Sequence, residues 1–481
     1  MESLEHSLLA QGNLMKDQQK HPRRPTSEQK QRRPAGPTPR SQAKTKLDGP
    51  IPKGPRSGTT RRMTLNMDGK PKKIFHETIC KVLDQCQSCP MLEIDYRDQL
   101  VLKTNEFRKK LTDSGLTSAQ TPVPECLPSP DRFGYRHSAK LVVNDRVLGE
   151  GRRFVNICLY KPGTHMVVDV GSCPVQHERI NKILNWLQGA IKEHNISVYD
   201  ERTKSGMLRY VSIRTAFKSK DTLVTLVVAE DDKLKLRPFA RAMKEQYNFI
   251  SGVLMHLNNT TGNAIFQYNT EPEAGQSEDN TTATTLLAGS DHMSDSVANI
   301  RLRISATSFF QINPAVAERA YFRLMEWLSP KPGETALDVY CGVGSLALLM
   351  AKAGCRVTAI EETPSSIADA HENAIINSLQ HVQFHVGRAE DVLPKLSEQK
   401  SLVNADVVTL NPSRRGCQPE VLKSVAALGA RAIGYMSCNP ESLVRDLAIL
   451  ETLGYTARGF ELYDMFPGSR HYEVVTLLTR T

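Results

Sequence analysis

The sequence predicts an α/β protein in which the last third of the chain forms a doubly wound parallel sheet. Two observations support this fold class. Apolar strand-like segments recur there with helical stretches between them, and a glycine-rich turn with Gly342 and Gly344 follows the first of these segments. Strands that alternate with helices are typical of a parallel sheet covered by helices on both faces, in a Rossmann-like arrangement.

Residues 301–481 are predicted to form this C-terminal domain. Five parallel strands are followed by two strands of a hairpin, which would give the sheet an antiparallel edge. The parallel strands are predicted at 336–340, 356–360, 382–386, 405–410 and 430–436, and the hairpin strands at 456–462 and 472–478.

Residues 131–300 are predicted to form a central α+β domain. Apolar segments of strand length indicate a sheet, and the apolar spacing of residues 180–194 indicates a helix. The run 270–295 is rich in Asn, Thr, Ser, Asp and Glu, so we expect a long loop or insertion there. The strands are predicted at 139–143, 155–160, 166–170, 211–217 and 223–228.

The N-terminal part of the chain carries the excess positive charge. Residues 1–75 contain 17 Lys and Arg against 6 Asp and Glu, whereas the rest of the chain contains 45 against 46. Because this basic segment has little apolar surface to bury, we expect a disordered tail. Residues 76–130 follow as a cysteine-rich segment with an amphipathic helix over 96–111 and a proline-rich linker over 121–130.

The composition excludes several classes of protein. Hydrophobic residues make up 40% of the 481, which is enough for a sizeable core. No stretch approaches the ~18 consecutive apolar residues of a membrane span, and the N-terminus has no apolar signal-peptide core. Ten cysteines are too few for a disulfide scaffold in a chain of this length. We therefore expect a cytoplasmic protein with reduced cysteines, no membrane association and no obligate protein partner.

Polar residues follow four of the predicted parallel strands. Asp338 precedes the glycine-rich turn, Glu361 ends the second strand, and Asn411 and Cys438 follow the fourth and fifth. Ligands of doubly wound sheets bind beyond these strand ends, and an acid about 20 residues after the turn binds ribose hydroxyls. The sequence therefore predicts a nucleoside-ligand site. The G-x-G-x-x-A pattern over 342–347 fits NAD as well as S-adenosylmethionine; the closing hairpin and Cys438 favour the latter.

Cys438 is the candidate nucleophile of this site. A cysteine in a strand is most often a small buried hydrophobe, but Ser437, Asn439 and Pro440 are not typical core neighbours. A helix is expected to begin near Glu441. Because a helix N-terminus lowers the pKa of a nearby thiol, we expect this position to favour the nucleophilic thiolate.

Four segments resemble motifs of the RNA uracil-C5 methyltransferase family. Residues 435–447 resemble the family's S-C-N-P-x-T-L-x-R-D-L motif, and residues 308–314 resemble S-F-F-Q-x-N. Residues 411–416 and 464–473 are similar to its D/N-P-P-R-x-G and D-M-F-P-H-T-x-H-x-E motifs. The motifs stand in the same order, and the resemblance extends over about 76–481.

The chain departs from these motifs at two positions. Ser413 replaces a proline and Gly468 replaces a histidine, so substrate contacts in the second loop need not follow the family. Asn411, where many members have Asp, resembles the bacterial 23S ribosomal RNA uracil-747 enzymes. Those enzymes also lack an N-terminal TRAM β-barrel, as this sequence is expected to.

The resemblance implies an enzyme that forms 5-methyluridine in RNA. C5 of uracil is a poor nucleophile, and addition of a thiolate to C6 converts C5 into an enolate carbon that accepts a methyl group. By resemblance, Cys438 is this nucleophile and Glu473 is the base that removes the C5 proton. The positions that bind S-adenosylmethionine in the family match Gln311, Tyr340, Glu361 and Asn411.

A second cysteine site is predicted before the central domain. Cys80, Cys86 and Cys89 are closely spaced in a polar segment, as metal ligands often are. His76 as fourth ligand would suit a zinc site, whereas Cys173, which is followed by proline, would suit iron–sulfur ligation. The family resemblance favours a 4Fe–4S cluster held by Cys80, Cys86, Cys89 and Cys173, which would tie the N-terminal segment to the central domain.

RNA is the expected partner, and ribosomal RNA is the expected substrate. Arg414 and Arg415 are candidate phosphate contacts beside the expected active site, and Arg136 and Lys140 resemble part of a basic strand in the family. Three alternatives stay open at this point: a transfer RNA uracil-C5 methyltransferase, an NAD-dependent oxidoreductase, and an iron–sulfur RNA-binding protein without catalysis.

Overall fold

The computed structural model of the protein describes residues 80–147, 153–260, 265–266 and 283–481. These residues belong to one compact unit, with two seven-stranded sheets and one two-stranded hairpin. No helix of these residues is long and apolar enough to cross a lipid bilayer. The expected disordered tail, His76 and residues 270–282 of the expected loop lie outside the described residues.

The cysteine-rich segment contains a short helix, α1 (Leu83–Cys86), and a long one, α2 (Tyr96–Asp113). The helix predicted over 96–111 is thus confirmed. It begins where the Asp95 side chain accepts a hydrogen bond from the Arg97 amide, a typical N-cap. Its apolar side packs on the C-terminal sheet, where the Phe107 ring lies 5.4 Å from that of Phe460. The segment is therefore part of the C-terminal core as well as a neighbour of the central domain.

The central sheet has the strand order β3-β2-β1-β4-β5-β6-β7. Neighbouring strands are antiparallel except β5 and β6, which are parallel because α4 crosses between them. The buried faces of α3 and α4 pack against one side of this sheet. The elements are β1 Ser138–Val147, β2 Arg153–Tyr160, β3 Val167–Asp169, α3 Glu178–Glu193, β4 Leu208–Thr215, β5 Thr222–Val228, α4 Lys233–Gln246, β6 Ile250–Leu257 and β7 Thr284–Gly289.

The prediction of a loop over 270–295 is wrong in its second half. β7 lies there, and β8 (His292–Val297) begins there and forms a hairpin with β9 (Ile300–Ser305). The buried residues of β8 alternate, and one of them is Asp295, whose carboxylate accepts hydrogen bonds from the amides of Phe217 and Lys218. Because this buried carboxylate binds the backbone of the segment that follows β4, β8 has a polar residue at an inward position.

The C-terminal sheet has the order β12-β11-β10-β13-β14-β16-β15. Its first five strands in this order, β12, β11, β10, β13 and β14, are parallel, and helices connect them along the chain. The predicted α/β class and Rossmann-like domain are confirmed. The elements are α5 Pro314–Leu328, β10 Thr335–Val339, α6 Ser345–Lys352, β11 Arg356–Glu361, α7 Pro364–Ile376, β12 Val382–Val386, α8 Ala389–Glu398, β13 Val407–Leu410, α9 Pro419–Ala427, β14 Ala432–Ser437, α10 Pro440–Thr452, β15 Tyr455–Tyr463 and β16 Glu473–Arg480.

The last strand, β16, lies between β14 and β15 and is antiparallel to both. In the pairing with β14, Ser437 lies opposite Val474. Cys438 and Glu473 are the next residues along the two chains, so this register continued by one residue would set them opposite each other, and the Glu473 charge acts on the Cys438 thiol. Residues opposite each other in an antiparallel pair extend to the same face of the sheet. The chain thus brings its two candidate catalytic residues together by the insertion of its final strand.

Candidate active site

A pocket of about 1060 Å³ opens at the carboxyl ends of the parallel strands. The sequence predicts six residues for one site there, and the structure places all six on its wall. They come from the loop before α5, the ends of β10, β11, β13 and β14, and the start of β16. The six are Gln311, Tyr340, Glu361, Asn411, Cys438 and Glu473.

The glycine-rich turn after β10 is held in an unusual backbone conformation. Tyr340 has φ of 68°, a left-handed value that is uncommon for a residue with a side chain, and Gly344 has φ of 86°. Backbone strain of this kind clusters at ligand sites. The Glu361 carboxylate accepts hydrogen bonds from the amides of Gly342 (3.2 Å) and Thr363 (3.0 Å), which hold the acid beside the turn.

Asp338 supports the turn from below. Its buried carboxyl group accepts hydrogen bonds from the Thr409 hydroxyl (2.6 Å) and the Ala347 amide (2.9 Å), which join β10 to β13 and to α6. Burial raises the pKa of Asp338 to about 7. This residue therefore fixes the geometry of the turn.

The loop that carries Gln311 is anchored from two sides. The Ser308 hydroxyl donates to the carboxylate of Asp369 on α7 (2.6 Å), and the Arg214 guanidinium of the central sheet donates to the Ser308 carbonyl. The Gln311 side chain lies beside Tyr321 of α5, and both residues line the pocket. The central sheet and the C-terminal domain together therefore position this part of the pocket.

The loop after β13 is held by the acid of the R-D pair in the motif over 435–447. The Asp446 carboxylate accepts hydrogen bonds from the Cys417 amide (2.8 Å) and the Tyr435 hydroxyl (2.6 Å). Gly416 has φ of 75°, and a Cβ there would lie 2.6 Å from the Asp446 carboxylate. Glycine is thus required for the close approach of this loop to Asp446.

The two candidate catalytic side chains titrate in an unusual range. Burial raises the pKa of Glu473 to about 8. The pKa of Cys438 is raised to about 11, first by burial and then by the Glu473 charge, and Arg414 opposes this shift. The expectation of a depressed pKa at this position is therefore wrong, because burial and the Glu473 charge outweigh the effect of Arg414.

Three of the four candidate RNA-binding residues line the pocket: Arg136, Arg414 and Arg415. Lys140 does not line it, and its ammonium group lies 4.7 Å from the centre of the Phe266 ring. Sequence reasoning missed Phe309, a pocket residue whose side chain is 61% exposed. The signal available in the sequence was the position of Phe309 within the motif over 308–314, two residues before Gln311.

The four cysteines predicted to act together line a second cavity of about 60 Å³. It lies between the cysteine-rich segment and the central sheet, and Ser88 and Arg136 line both cavities. The pKa of Cys89 is raised to about 12 by burial and by the thiols of Cys173, Cys86 and Cys80, so the four sulfurs act on one another electrostatically. Among the described residues, however, no three Cys, His, Asp or Glu side chains converge as ligands of one metal ion.

Comparison with known proteins shows the family of this chain. The family model described as tRNA (uracil-5-)-methyltransferase matches residues 290–481. An RNA methyltransferase of Geobacter sulfurreducens is 33% identical over 401 residues, which cover 83% of this chain and 77% of that protein. One from Gloeobacter violaceus is 32% identical over 405 residues, which cover 84% and 83% of the two chains. The chain belongs to the RNA uracil-C5 methyltransferase family.

A solved member shares the fold of this methyltransferase. The tRNA (uracil-54, C5)-methyltransferase of Pyrococcus abyssi, in complex with S-adenosyl-L-homocysteine, aligns with a TM-score of 0.62 and 23% identity. The alignment covers 82% of this chain and 86% of that one. Membership of the family decides between the two cofactors that the glycine-rich turn left open, in favour of S-adenosylmethionine, and makes RNA the substrate.

The two departures from the family motifs lie in different surroundings. Ser413 is exposed at the edge of the methyltransferase pocket. Gly468 is buried and is not part of the pocket wall; its φ is 81°, and a Cβ there would lie 3.0 Å from Leu92 and 3.6 Å from Cys89. The Gly468 position therefore contacts the cysteine-rich segment, and its positive φ would strain a histidine there.

Proposed function

We propose that this protein methylates C5 of a uridine in 23S-type ribosomal RNA through a covalent adduct between Cys438 and C6 of the base. The observation that carries the proposal is the pairing of Ser437 with Val474, because Cys438 and Glu473 are the adjacent residues of the two chains. Both residues share one pocket with the glycine-rich turn. A nucleophile and a base on opposite residues of two strands can act on neighbouring carbons of one ring.

The reaction needs three events at the uracil ring. The Cys438 thiolate adds to C6, and C5 becomes the nucleophilic carbon of an enolate. S-adenosylmethionine, when bound, supplies the electrophilic methyl group. Glu473 then takes the proton from C5. The electrons of the broken C5–H bond re-form the C5–C6 double bond, and the bond between C6 and the Cys438 sulfur breaks. Burial suits Glu473 to this role, because a raised pKa makes its carboxylate a stronger base.

The residues proposed to bind S-adenosylmethionine fit such a ligand. Glu361 is oriented by two backbone amides and is placed to accept hydrogen bonds from ribose hydroxyls. Tyr340, Gln311 and Asn411 surround the same turn. A pocket of about 1060 Å³ has room for the cofactor and for one base taken out of its stack in RNA.

Ribosomal RNA is proposed as the substrate because Asn411 and the sequence before the central sheet resemble the bacterial 23S ribosomal RNA enzymes. Arg136, Arg414 and Arg415 line the pocket where RNA phosphates would approach.

Cys80, Cys86, Cys89 and Cys173 are proposed to hold a 4Fe–4S cluster. Their common cavity supports this assignment. In a cluster each thiolate binds a different iron atom, so the four sulfurs need not converge on one point as they do around a single ion. The cluster would join the cysteine-rich segment to the loop before α3 and takes no part in the steps above.

The test is methyl transfer to RNA by the purified protein. RNA labelled with tritium at C5 of uridine should release tritium in the presence of S-adenosylmethionine, and 5-methyluridine should appear in ribosomal RNA. Mapping this nucleotide in ribosomal and transfer RNA, from cells with and without the protein, identifies the substrate. A site found only in transfer RNA would overturn the ribosomal assignment, and RNA binding without tritium release would overturn the catalytic one.

A further inference from the structure

We propose that Lys103 is a positioning residue for the base of the reaction, and that it acts by fixing the loop that precedes Glu473. This inference rests on the proposed function. The loop comprises residues 464–472, between β15 and β16, and is called here the clamp loop. Lys103 lies on α2, which neither touches the pocket nor neighbours the loop in sequence.

The clamp loop is held through its main chain from several parts of the molecule. Four consecutive carbonyl groups, those of residues 465–468, each accept a hydrogen bond from a different segment. The donors are Asn313 to Met465 (3.2 Å), Lys103 to Phe466 (3.2 Å), Tyr135 to Pro467 (3.1 Å) and the Met91 amide to Gly468 (2.8 Å). Such bonds fix backbone position irrespective of loop sequence.

Lys103 makes the only contact among these four that also carries a full charge. Its ammonium group lies 2.6 Å from the Asp464 carboxylate, and the two side chains are 1% and 0% exposed. Removal of one member of a buried ion pair leaves the other charge uncompensated, so the remaining partner moves towards water. Loss of Lys103 is therefore expected to displace Asp464 and the loop that starts there.

The cysteine-rich segment reinforces the same loop. The Gln99 side chain accepts a hydrogen bond from the Gly468 amide (3.0 Å), and the carbonyl of Gly468 is bound by Met91. Gly468 also packs beside Cys89. The segment that lines the cysteine cavity is thus in direct contact with the loop that leads to the proposed base.

A displaced clamp loop has a selective consequence. Glu473 is the first residue of β16 and directly follows the loop, whereas Cys438 follows β14. The residues proposed to bind S-adenosylmethionine lie on other loops. Loss of Lys103 should therefore slow removal of the C5 proton while it spares cofactor binding and addition of the thiolate.

The test compares Lys103→Met with Lys109→Met in the full-length protein. Lys109 lies on the same helix and is 75% exposed, so its loss is not expected to move the loop. In Lys103→Met we expect tritium release to fall by about a hundredfold, since small displacements of reacting groups cost that much. A covalent protein–RNA adduct, stable in detergent, should accumulate, and calorimetry should show unchanged affinity for S-adenosylmethionine.

A second variant, Gln99→Leu, removes a neutral contact to the same loop and disturbs folding less. It should show the same pattern with a smaller effect. The proposal is overturned if Lys103→Met releases tritium like the wild type, or if both variants lose cofactor affinity together with activity, which indicates general unfolding. Absence of tritium release from the wild-type protein would instead overturn the proposed function itself.

Discussion

The two cavities of this methyltransferase differ in size, lining and origin. The larger pocket is about 1060 Å³ and is lined mainly by loops of the C-terminal domain, whereas the cysteine cavity is about 60 Å³ and lies between the cysteine-rich segment and the central sheet. They share Ser88 and Arg136. Under the proposed function the larger cavity binds cofactor and substrate, and the smaller one joins two parts of the chain.

The variant Cys438→Ala should have the largest effect on the reaction in the larger pocket. Without the thiol no adduct forms, and methylation of RNA should be abolished while S-adenosylmethionine still binds. Cys355→Ala is the matched control, because Cys355 is buried at the opposite end of the sheet. Methyl incorporation by the two variants, measured side by side, checks the prediction; full activity of Cys438→Ala would contradict the covalent mechanism.

The variant Glu473→Gln should slow tritium release by about a hundredfold to ten-thousandfold, which is the usual contribution of a positioned base. Because the thiol is intact, the protein–RNA adduct should build up and be visible on denaturing gels. A variant that turns over normally, with no adduct, would show that another group removes the proton.

The pH dependence of adduct breakdown should follow the ionisation of Glu473. The base must be unprotonated, and burial raises its pKa to about 8. The rate of tritium release from the adduct should therefore fall by about tenfold for each pH unit below this value and level off above it. Glu473→Gln serves as the control, since the residual rate of tritium release in this variant should not fall in the same way below pH 8.

The variant Cys173→Ser should have the smallest effect on the ligand pocket. It is expected to remove iron from the purified protein, because one of four proposed ligands is lost. Affinity for S-adenosylmethionine should stay unchanged, because the residues proposed to bind this cofactor belong to the C-terminal domain and not to the cysteine cavity. Measurement of iron content and calorimetry with S-adenosylmethionine check the two parts of this prediction. A large loss of cofactor affinity would show that the two cavities do not act independently.

The C-terminal fold could be predicted because its central strands β10, β13 and β14 are buried on both faces and therefore form continuous apolar runs in the sequence. In the central domain the prediction failed where polar residues are buried. β8 contains Asp295 at an inward position, which breaks the alternation of apolar and polar residues expected of a strand.

The candidate site was predicted mainly from motifs, and its electrostatics could not be. The motifs placed Cys438 and Glu473 in one site, yet the pKa of Cys438 depends on burial, which no local pattern reveals. The same is true of Lys103 and Asp464. Each alone is an ordinary charged residue in the sequence, and only the packing of α2 on the C-terminal sheet makes them a buried pair.

Gly468 has an evolutionary consequence. A Cβ at this position would lie 3.0 Å from the Leu92 side chain, which would have to shift, and the backbone there has the left-handed conformation that glycine adopts most easily. Homologues that keep a histidine at 468 should therefore differ at the residue equivalent to Leu92, or in the path of the segment that bears it. The two positions are expected to change as a pair during divergence, although 375 intervening residues separate them in the gene product.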